Sequence, residues 1–189
     1  EAFDKVGRLL GLSYPGGPAI EKIAKHGDPM KFNLPKCRIS DKKGGFLKYD
    51  FSFSGLKTAV LRLVEKLSLD GKTVPVPDIA ASFERVVAEV LVERTIRCAE
   101  DHSLDNVVVV GGVAANNTLR KMMINEASKK SIRVHLAPLN LCTDNAAMIG
   151  AAALFRIKFK DHSSSLKLGV SGRLSIEQAN TLYEENPPF

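Results

Sequence analysis

The segment VVVVGGVAANN, which ends at Asn117, holds residues whose types and spacing could bind a ligand. Gly111 and Gly112 allow a ligand to approach the backbone closely, and the amides of Asn116 and Asn117 can both donate and accept hydrogen bonds, as a ribose or a purine edge requires. The two glycines are adjacent, with no third glycine and no Lys-Ser/Thr pair, which excludes the dinucleotide fingerprint and the P-loop. A tight turn before a capped helix would use the same residues. The segment alone therefore predicts either a nucleotide site or a structural corner.

Other candidate residues lie near predicted helix starts, where each could bind a ligand or only stabilise the fold. In LCTDNAAMIG, Asp144 could ligate a metal, but Thr143 or Asp144 could also be the N-cap of an Ala-rich helix. Asp4, one turn into the first helix, could accept both hydroxyls of a ribose or only match the helix dipole. Gly16 and Gly17, in PGGP, could offer backbone N–H groups to a ligand or simply make a turn.

The histidines and cysteines give little support to a complete metal site or a thiol nucleophile. Isolated histidines without HxxxH or HExxH spacing favour surface or capping positions. They are His26, His102, His135 and His162. The three cysteines, Cys37, Cys98 and Cys142, have no CxxC spacing, which fits a reducing compartment and argues against a disulfide scaffold or a zinc knuckle. Cys142 is close to Asp144, but no histidine partner can be placed beside it.

The composition is that of a soluble, globular and basic chain. Its 189 residues are 44% hydrophobic and 25% charged, which suits one domain or two small lobes. No run approaches the roughly 18 apolar residues of a membrane helix, and no segment has the order of a signal peptide. The net charge of +6 is compatible with a polyanionic partner. A basic loop, which holds Lys36, Arg38, Lys42, Lys43 and Lys48, fits either a nucleic-acid contact or an ordinary solvated loop.

The elements that must position these residues alternate between helix and strand. Apolar periodicity predicts helices over 1–12, 19–26, 54–69, 79–102, 116–130 and 145–159. Apolar runs predict a buried strand over 107–110 and a second strand over 132–136, with 28–50 as loop and one edge strand, and VPVP at 74–77 as a linker before an N-cap at Asp78. The strand–helix–strand order implies a right-handed β-α-β unit in a parallel or mixed sheet, so the fold class is α/β. Ligands bind at the carboxyl ends of such strands, which makes the Gly-Gly corner and the loops 137–144 and 13–18 candidate site walls.

Four segments occur together in the order and approximate spacing of one family: EAFDKVGRLLGLSYPGGPAIEKIA, DFSFSGLKTAV, VVGGVAANNTLR and LCTDNAAMIGAAAL. The chain therefore resembles the tRNA threonylcarbamoyltransferase family, TsaD, whose older name is O-sialoglycoprotein endopeptidase. The resemblance runs from Glu1 to about Arg156. Because Glu1 falls just inside the family's GEAFDK segment, we expect the chain to be the C-terminal portion of a longer protein.

The resemblance implies the two-lobed fold of actin-like ATPases (the ASKHA superfold), with the N-terminal lobe missing and this chain forming mainly the second lobe. We expect residues 1–137 to be the nucleotide-binding half, 138–160 an interface helix with the metal-ligand aspartate, and 161–189 a C-terminal tail. The implied reaction transfers a threonylcarbamoyl group from threonylcarbamoyl-AMP to N6 of the adenosine beside the anticodon in tRNAs that read ANN codons, and it releases AMP. We expect the chain to be inactive alone.

The family's ligand positions imply roles for residues of this chain. Asp4 would hold the ribose hydroxyls of the adenylate, Gly17 would bring its backbone against the nucleotide, and Asn116 would contact sugar or base, while Glu21 stands where some members have an aspartate. Asp144 would be one ligand of a divalent metal, Fe²⁺ or Zn²⁺, whose two histidine ligands lie in an HxxxH motif outside this chain.

The implied partners are tRNA, threonylcarbamoyl-AMP and, in bacteria, an inactive paralogue (TsaB) and a small ATPase (TsaE), with no membrane. The implied location is the cytoplasm, or a mitochondrion or plastid for an organellar parent.

Three other functions share part of this evidence. A small-molecule kinase or ATPase of the same superfold would transfer phosphate from ATP with magnesium and would not need tRNA. A metalloendopeptidase needs a water-activating glutamate beside its metal ligands, and no HExxH motif supplies one. A non-enzymatic lobe would mainly dock a partner protein.

Overall fold

Within residues 1–42, 44–159 and 175, which the computed structural model describes, six α-helices and four β-strands follow one another along the chain. The helices are Ala2–Leu9 (α1), Gly16–Ala24 (α2), Ser54–Leu69 (α3), Val76–Asp101 (α4), Asn117–Ser128 (α5) and Ala146–Phe159 (α6). The strands are Arg38–Ser40 (β1), Phe46–Phe51 (β2), Asn106–Val109 (β3) and Arg133–Leu136 (β4). Short 3₁₀ turns at Gly112–Ala115 and Leu139–Leu141 follow β3 and β4. The chain divides into two compact units, Glu1–Thr143 and a second one that begins at Asp144.

The strand–helix–strand unit predicted from the sequence is present. Strands β3 and β4 pair in parallel, from Asn106 opposite Arg133 to Val109 opposite Leu136, and α5 connects them. Strands β1 and β2 form a separate antiparallel pair, in a region where the sequence predicts one edge strand. A parallel pair joined by a helix, together with the surrounding helices, confirms the mixed α/β class.

The long helix α4 organises the core of the first unit because it buries side chains along most of its length. It packs against α2, α5 and β2. One cluster around Phe83 joins α4 to α1, α2 and α3, with Val6 and Ile20 fully buried, and a second cluster around Met123 joins α4 to α5. Full burial of a large apolar side chain contributes roughly 1.5–3 kcal/mol. Helix α4 is therefore the platform that holds α2, which carries Gly17, and α5, which Asn116 directly precedes.

Two helices begin earlier than the sequence predicts. Helix α2 begins at Gly16, so Gly16 and Gly17 lie in its first turn and not in a loop. Helix α4 begins at Val76 inside the predicted linker, and Asp78 accepts a hydrogen bond from the backbone N–H of Asp28 at 2.8 Å instead of capping the helix. Proline fixes a helical φ and lacks the N–H that a first turn leaves unpaired, so both PGGP and VPVP can open a helix.

The prediction that β3 is fully buried is wrong for one of its faces. Val107 and Val109 pack against the cluster formed by α4 and α5. Val108 is 67% exposed, and Val110, just after the strand, is 68% exposed. Alternate residues of a strand point to opposite sides, and the helices of the first unit pack on the side of Val107 and Val109.

Some predictions concern residues outside those described. These are Lys43 of the basic loop, His162, and the tail 161–189 apart from Ser175. The predicted division at 137/138 and 160/161 stays a prediction. Among the described helices, none combines the length and the apolar character that crossing a bilayer requires.

Candidate functional site

Asp4 and the start of α2 form the first part of the candidate site. Oδ1 of Asp4 accepts a hydrogen bond from the backbone N–H of Gly16 at 2.9 Å. This bond is the main reason why the pKa of the Asp4 carboxyl lies below its ordinary value, so the group is ionised at neutral pH. Asp4 lines a cavity of about 400 Å³ together with Arg8 and Tyr14. An ionised carboxylate in a cavity wall can accept hydrogen bonds from a pair of hydroxyl groups.

The two adjacent glycines of α2 have different surroundings. A Cβ on Gly16 would lie 2.4 Å from the carbonyl oxygen of Phe3 and 2.6 Å from Cα of Asp4, so the close contact between α1 and α2 requires glycine. A Cβ on Gly17 would meet no heavy atom within 4 Å. Gly16 therefore holds the two helices together, whereas the backbone at Gly17 borders open space that a ligand can enter.

Helix α2 also connects Asp4 to the corner after β3. Oε1 of Glu21, on α2, accepts a hydrogen bond from Nδ2 of Asn117 at 2.5 Å. Because the first turn of the same helix donates to Asp4, one nine-residue element contacts both Asp4 and the start of α5. The structure thus brings Asp4, Glu21 and the asparagine pair Asn116 and Asn117 into one connected set within the first unit.

Asn116 caps α5, and its side chain is engaged inside the protein. Its Oδ1 accepts the backbone N–H of Leu119 at 2.9 Å, and its Nδ2 donates to Oε1 of Glu84 at 2.7 Å. The residue is buried, and the capping role that the sequence left open is therefore present. A ligand contact by Asn116 stays a prediction, and it would use the remaining N–H or lone pair of the same amide.

Glu84 belongs to this connected set and was missed by the sequence analysis. It lies on α4, is buried, and accepts hydrogen bonds from Asn116 on Oε1 and from the hydroxyl of Thr118 on Oε2, the latter at 2.8 Å. A buried carboxylate needs such partners, because burial without them is costly. The signal was available, since in ASFERVV a glutamate stands among residues that the apolar pattern places inside. Glu84 therefore fixes the orientation of the residue that caps α5.

We expect Glu84→Ala to lower the free energy of unfolding of the full-length protein by about 2 kcal/mol, because the buried Asn116 amide and the Thr118 hydroxyl lose their partner. Glu84→Gln should stay close to wild type, since its amide oxygen can accept from Asn116 while its NH₂ donates to the hydroxyl of Thr118. Thermal denaturation measures both variants. Glu100→Gln, which removes one charge from an exposed ion pair with Lys130, is the matched control. Equal losses in Glu84→Ala and Glu100→Gln would contradict a supporting role for the buried carboxylate.

Asp144 does not cap the helix that follows it. Oδ1 of Asn145 accepts the backbone N–H of Met148 at 3.1 Å, so Asn145 is the N-cap of α6, and the prediction of a cap at Thr143 or Asp144 is wrong. Asp144 itself is exposed. Metal ligation by Asp144 stays a prediction. Within the described part of the chain, no group of three His, Cys, Asp or Glu side chains comes together as a metal site.

The surroundings of Cys142, Cys37 and Lys48 give no sign of a reactive thiol or of a freely charged basic patch. Cys142 is buried, which does not favour a thiol nucleophile. Burial raises the pKa of the Cys37 thiol to about 11, so this group stays protonated at neutral pH. The prediction of a basic loop is wrong for two of its residues, because Arg38 lies on β1 and Lys48 on β2. Nζ of Lys48 lies 2.6 Å from a carboxylate oxygen of Asp101, so part of the positive charge of this region is neutralised within the protein.

Comparison of the sequence with models of known protein families assigns the chain to one family. The family model described as TsaD, tRNA N6-adenosine threonylcarbamoyltransferase, matches residues 1–151. That range includes Asp4, α2, Glu84, the corner after β3 and Asp144. The chain belongs to the TsaD family.

Curated members of the TsaD family from Prochlorococcus marinus are close in sequence. The chain is 96% identical over 189 residues to the tRNA N6-adenosine threonylcarbamoyltransferase of strain MIT 9312, 82% identical to that of strain MIT 9515 and 62% identical to that of strain NATL1A. Each match covers 100% of this chain and 53% of the relative. The chain therefore spans about half the length of these TsaD relatives.

A solved structure shares the fold. The crystal structure of T. kodakarensis HypF matches with a TM-score of 0.56 and 19% sequence identity, and the match covers 83% of this chain and 19% of HypF. At this identity the likeness concerns the fold alone, and it supports the α/β arrangement of this TsaD chain.

Proposed function

We propose that this chain is part of an enzyme that transfers a threonylcarbamoyl group from threonylcarbamoyl-AMP to N6 of the adenosine beside the anticodon in tRNAs that read ANN codons. The observation that carries the proposal is the family match over residues 1–151, because this range contains the whole connected set around α2. In the transfer, the N6 amine forms a bond to the carbamoyl carbonyl carbon. The bond between that carbon and the phosphate oxygen breaks, the amine loses a proton, and AMP leaves.

The surroundings of Asp4 and Gly17 support the binding roles that we propose for them. Asp4 is ionised and lines a cavity, which suits the ribose hydroxyls of the adenylate. Gly17 borders open space, so a nucleotide can contact its backbone. Asn116 would contact sugar or base, while Glu21, already bonded to Asn117, would hold α2 against the start of α5.

The proposal includes one divalent metal, Fe²⁺ or Zn²⁺, with Asp144 as a ligand. A carboxylate suits either metal in company with histidine nitrogens. The exposure of Asp144 and the presence of the helix cap at the next residue support this role, since the fold does not use this carboxylate as a cap. The described residues do not complete the ligand set, and we propose that two histidines outside this chain do so. A bound metal would supply Lewis-acid polarisation of the carbonyl that is attacked.

The proposed enzyme is larger than this chain. We propose that the chain forms mainly the second lobe of a two-lobed ASKHA fold, with 1–137 as the nucleotide-binding half and 138–160 as an interface helix, and that it is inactive alone. The coverage of only 53% of each relative supports this. The proposed partners are tRNA, which the net charge of +6 favours, and the proteins TsaB and TsaE, in the cytoplasm.

The test uses the full-length protein together with TsaB and TsaE. It is incubated with threonylcarbamoyl-AMP and a tRNA that reads ANN codons, and the nucleosides are analysed by mass spectrometry. Threonylcarbamoyladenosine is expected with this tRNA, but not with a tRNA that reads other codons and not with residues 1–189 alone.

Each alternative function gives a different result in the same preparation. Phosphorylation of a small molecule by ATP, without the modified nucleoside, would favour a kinase of the same fold. Metal-dependent peptide hydrolysis would favour the endopeptidase. Full activity of residues 1–189 alone would contradict the two-lobed enzyme but would leave the reaction in place.

A further inference from the structure

We infer that Arg120 is a positioning residue that fixes the turn after β3 against the loop after β4 and so shapes the nucleotide end of the site; this inference rests on the proposed function. Nη1 of Arg120 donates to the carbonyl oxygen of Ala114 at 2.7 Å, and Nη2 donates to the carbonyl oxygen of Ala137 at 2.9 Å. Nη1 also lies 3.7 Å from Sγ of the buried Cys142. One side chain on α5 therefore contacts three residues in the two segments that follow β3 and β4.

The two carbonyl groups lie beyond the ends of the strand pair. The ladder of β3 and β4 ends at Val109 and Leu136, and the backbone N–H of Ala137 makes one more bond to the carbonyl of Val109 at 3.2 Å. After this point the chain turns at Gly112–Ala115 on one side and passes through the 3₁₀ turn Leu139–Leu141 on the other. Arg120 joins these two segments at the edge where parallel sheets bind their ligands.

Arginine has the chemistry that this cross-link requires. Its planar guanidinium presents several N–H donors in a fixed fork and can bond two carbonyl groups at once, whereas a lysine ammonium is a compact point charge. Hydrogen bonds from a charged donor are also stronger than neutral ones. Among the ion pairs of the residues that the structure describes, none involves Arg120, so its charge stays at this edge, where an anionic adenylate would bind.

The turn between β3 and Asn116 is held in one conformation by side-chain contacts near its C-terminal end. It begins at Gly111, whose φ of 88° is in the left-handed region, and continues through the exposed Gly112, so its own residues restrict it little. Glu84 holds Asn116 from α4, and Arg120 holds Ala114 from α5. Without the second anchor, the turn would sample more conformations and would have to be ordered when the nucleotide binds, which weakens binding more than it slows chemistry.

The test compares Arg120→Ala and Arg120→Lys with Arg133→Ala in the full-length protein. Arg133 is the matched control because it lies on β4, its side chain is 75% exposed, and its Nη2 makes only a long contact of 3.9 Å with Oδ2 of Asp105. We expect Arg120→Ala to raise KM for threonylcarbamoyl-AMP about tenfold with kcat within about threefold of wild type. Arg120→Lys should be intermediate and Arg133→Ala unchanged. In Arg120→Ala, the backbone amides of 112–115 and 137–142 should exchange faster, while those of α5 keep their protection.

Exchange and kinetics together separate this inference from the proposed function. Unchanged exchange in the two segments would overturn the cross-link, and faster exchange with an unchanged KM would overturn the positioning role. A fall in kcat that accompanies the rise in KM and matches a fall in global stability would also overturn it. Such a result would mean that Arg120 only stabilises the fold. If the wild type makes no threonylcarbamoyladenosine, the proposed function and the positioning role fail together, while exchange still shows whether Arg120 joins the two segments.

Discussion

Asp144→Ala in the full-length protein is expected to lower threonylcarbamoyl transfer by at least about 100-fold, since loss of even an outer partner of a metal ligand costs about 10–100-fold. Stability should change by no more than about 0.5 kcal/mol, as for an ordinary surface substitution. The physical reason for this contrast is the position of the cap, because Asn145 caps α6 and Asp144 is exposed beside it. Nucleoside mass spectrometry measures the transfer, thermal denaturation measures stability, and elemental analysis of the purified protein measures bound metal.

Asn145→Ala is the matched control for this prediction. Removal of the cap should cost about 1 kcal/mol of stability and leave metal content and most of the activity in place. The two neighbouring substitutions should therefore give opposite signatures. If Asp144→Ala keeps its metal and its activity, the metal proposal is wrong while the transfer reaction stands.

Strong apolar periodicity was enough to predict the helices and their approximate order. The starts of α2 and α4 were misplaced because proline was taken as a breaker in PGGP and VPVP, although the first turn of a helix tolerates it. The run of four valines, 107–110, predicted a buried strand, but apolar residue type does not show what covers each face. In the described structure, Val108 is largely exposed.

The sequence indicated candidate residues for the site, but it did not indicate the contacts that connect them. Asp4, Asn116 and Asp144 could be singled out because each is a polar residue at or near a predicted helix start. The hydrogen bonds that connect the site cross 12, 32 and 96 positions of sequence, between Asp4 and Gly16, Glu84 and Asn116, and Glu21 and Asn117. Contacts at such separations depend on how helices pack, which local periodicity does not record. The hydrogen bonds of Glu84 and the carbonyl contacts of Arg120 therefore required the structure.

Gly16→Ala is the second substitution for which we expect a large effect, a loss of about 3 kcal/mol in the free energy of unfolding of the full-length protein. The added methyl group would lie 2.4 Å from the carbonyl oxygen of Phe3 and 2.6 Å from Cα of Asp4. Both atoms belong to the backbone, so rotation of a side chain cannot relieve the overlap, and α1 has to move away from α2. That movement also breaks the bond from the Gly16 N–H to Asp4, which is the main cause of the lowered pKa of the Asp4 carboxyl.

Gly17→Ala makes the same chemical change one position along the helix, and it separates folding from binding. Its new methyl group meets no heavy atom within 4 Å, and glycine to alanine inside a helix is stabilising by about 0.4–1 kcal/mol where the backbone conformation suits both residues. Thermal stability should therefore stay the same or rise. If a nucleotide contacts the backbone at Gly17, the methyl group occupies that space, and KM for threonylcarbamoyl-AMP should rise in a protein that is fully folded. Unchanged kinetics in Gly17→Ala would remove Gly17 from the proposed site, whereas wild-type stability in Gly16→Ala would show that α1 and α2 do not approach as closely as this structure has them.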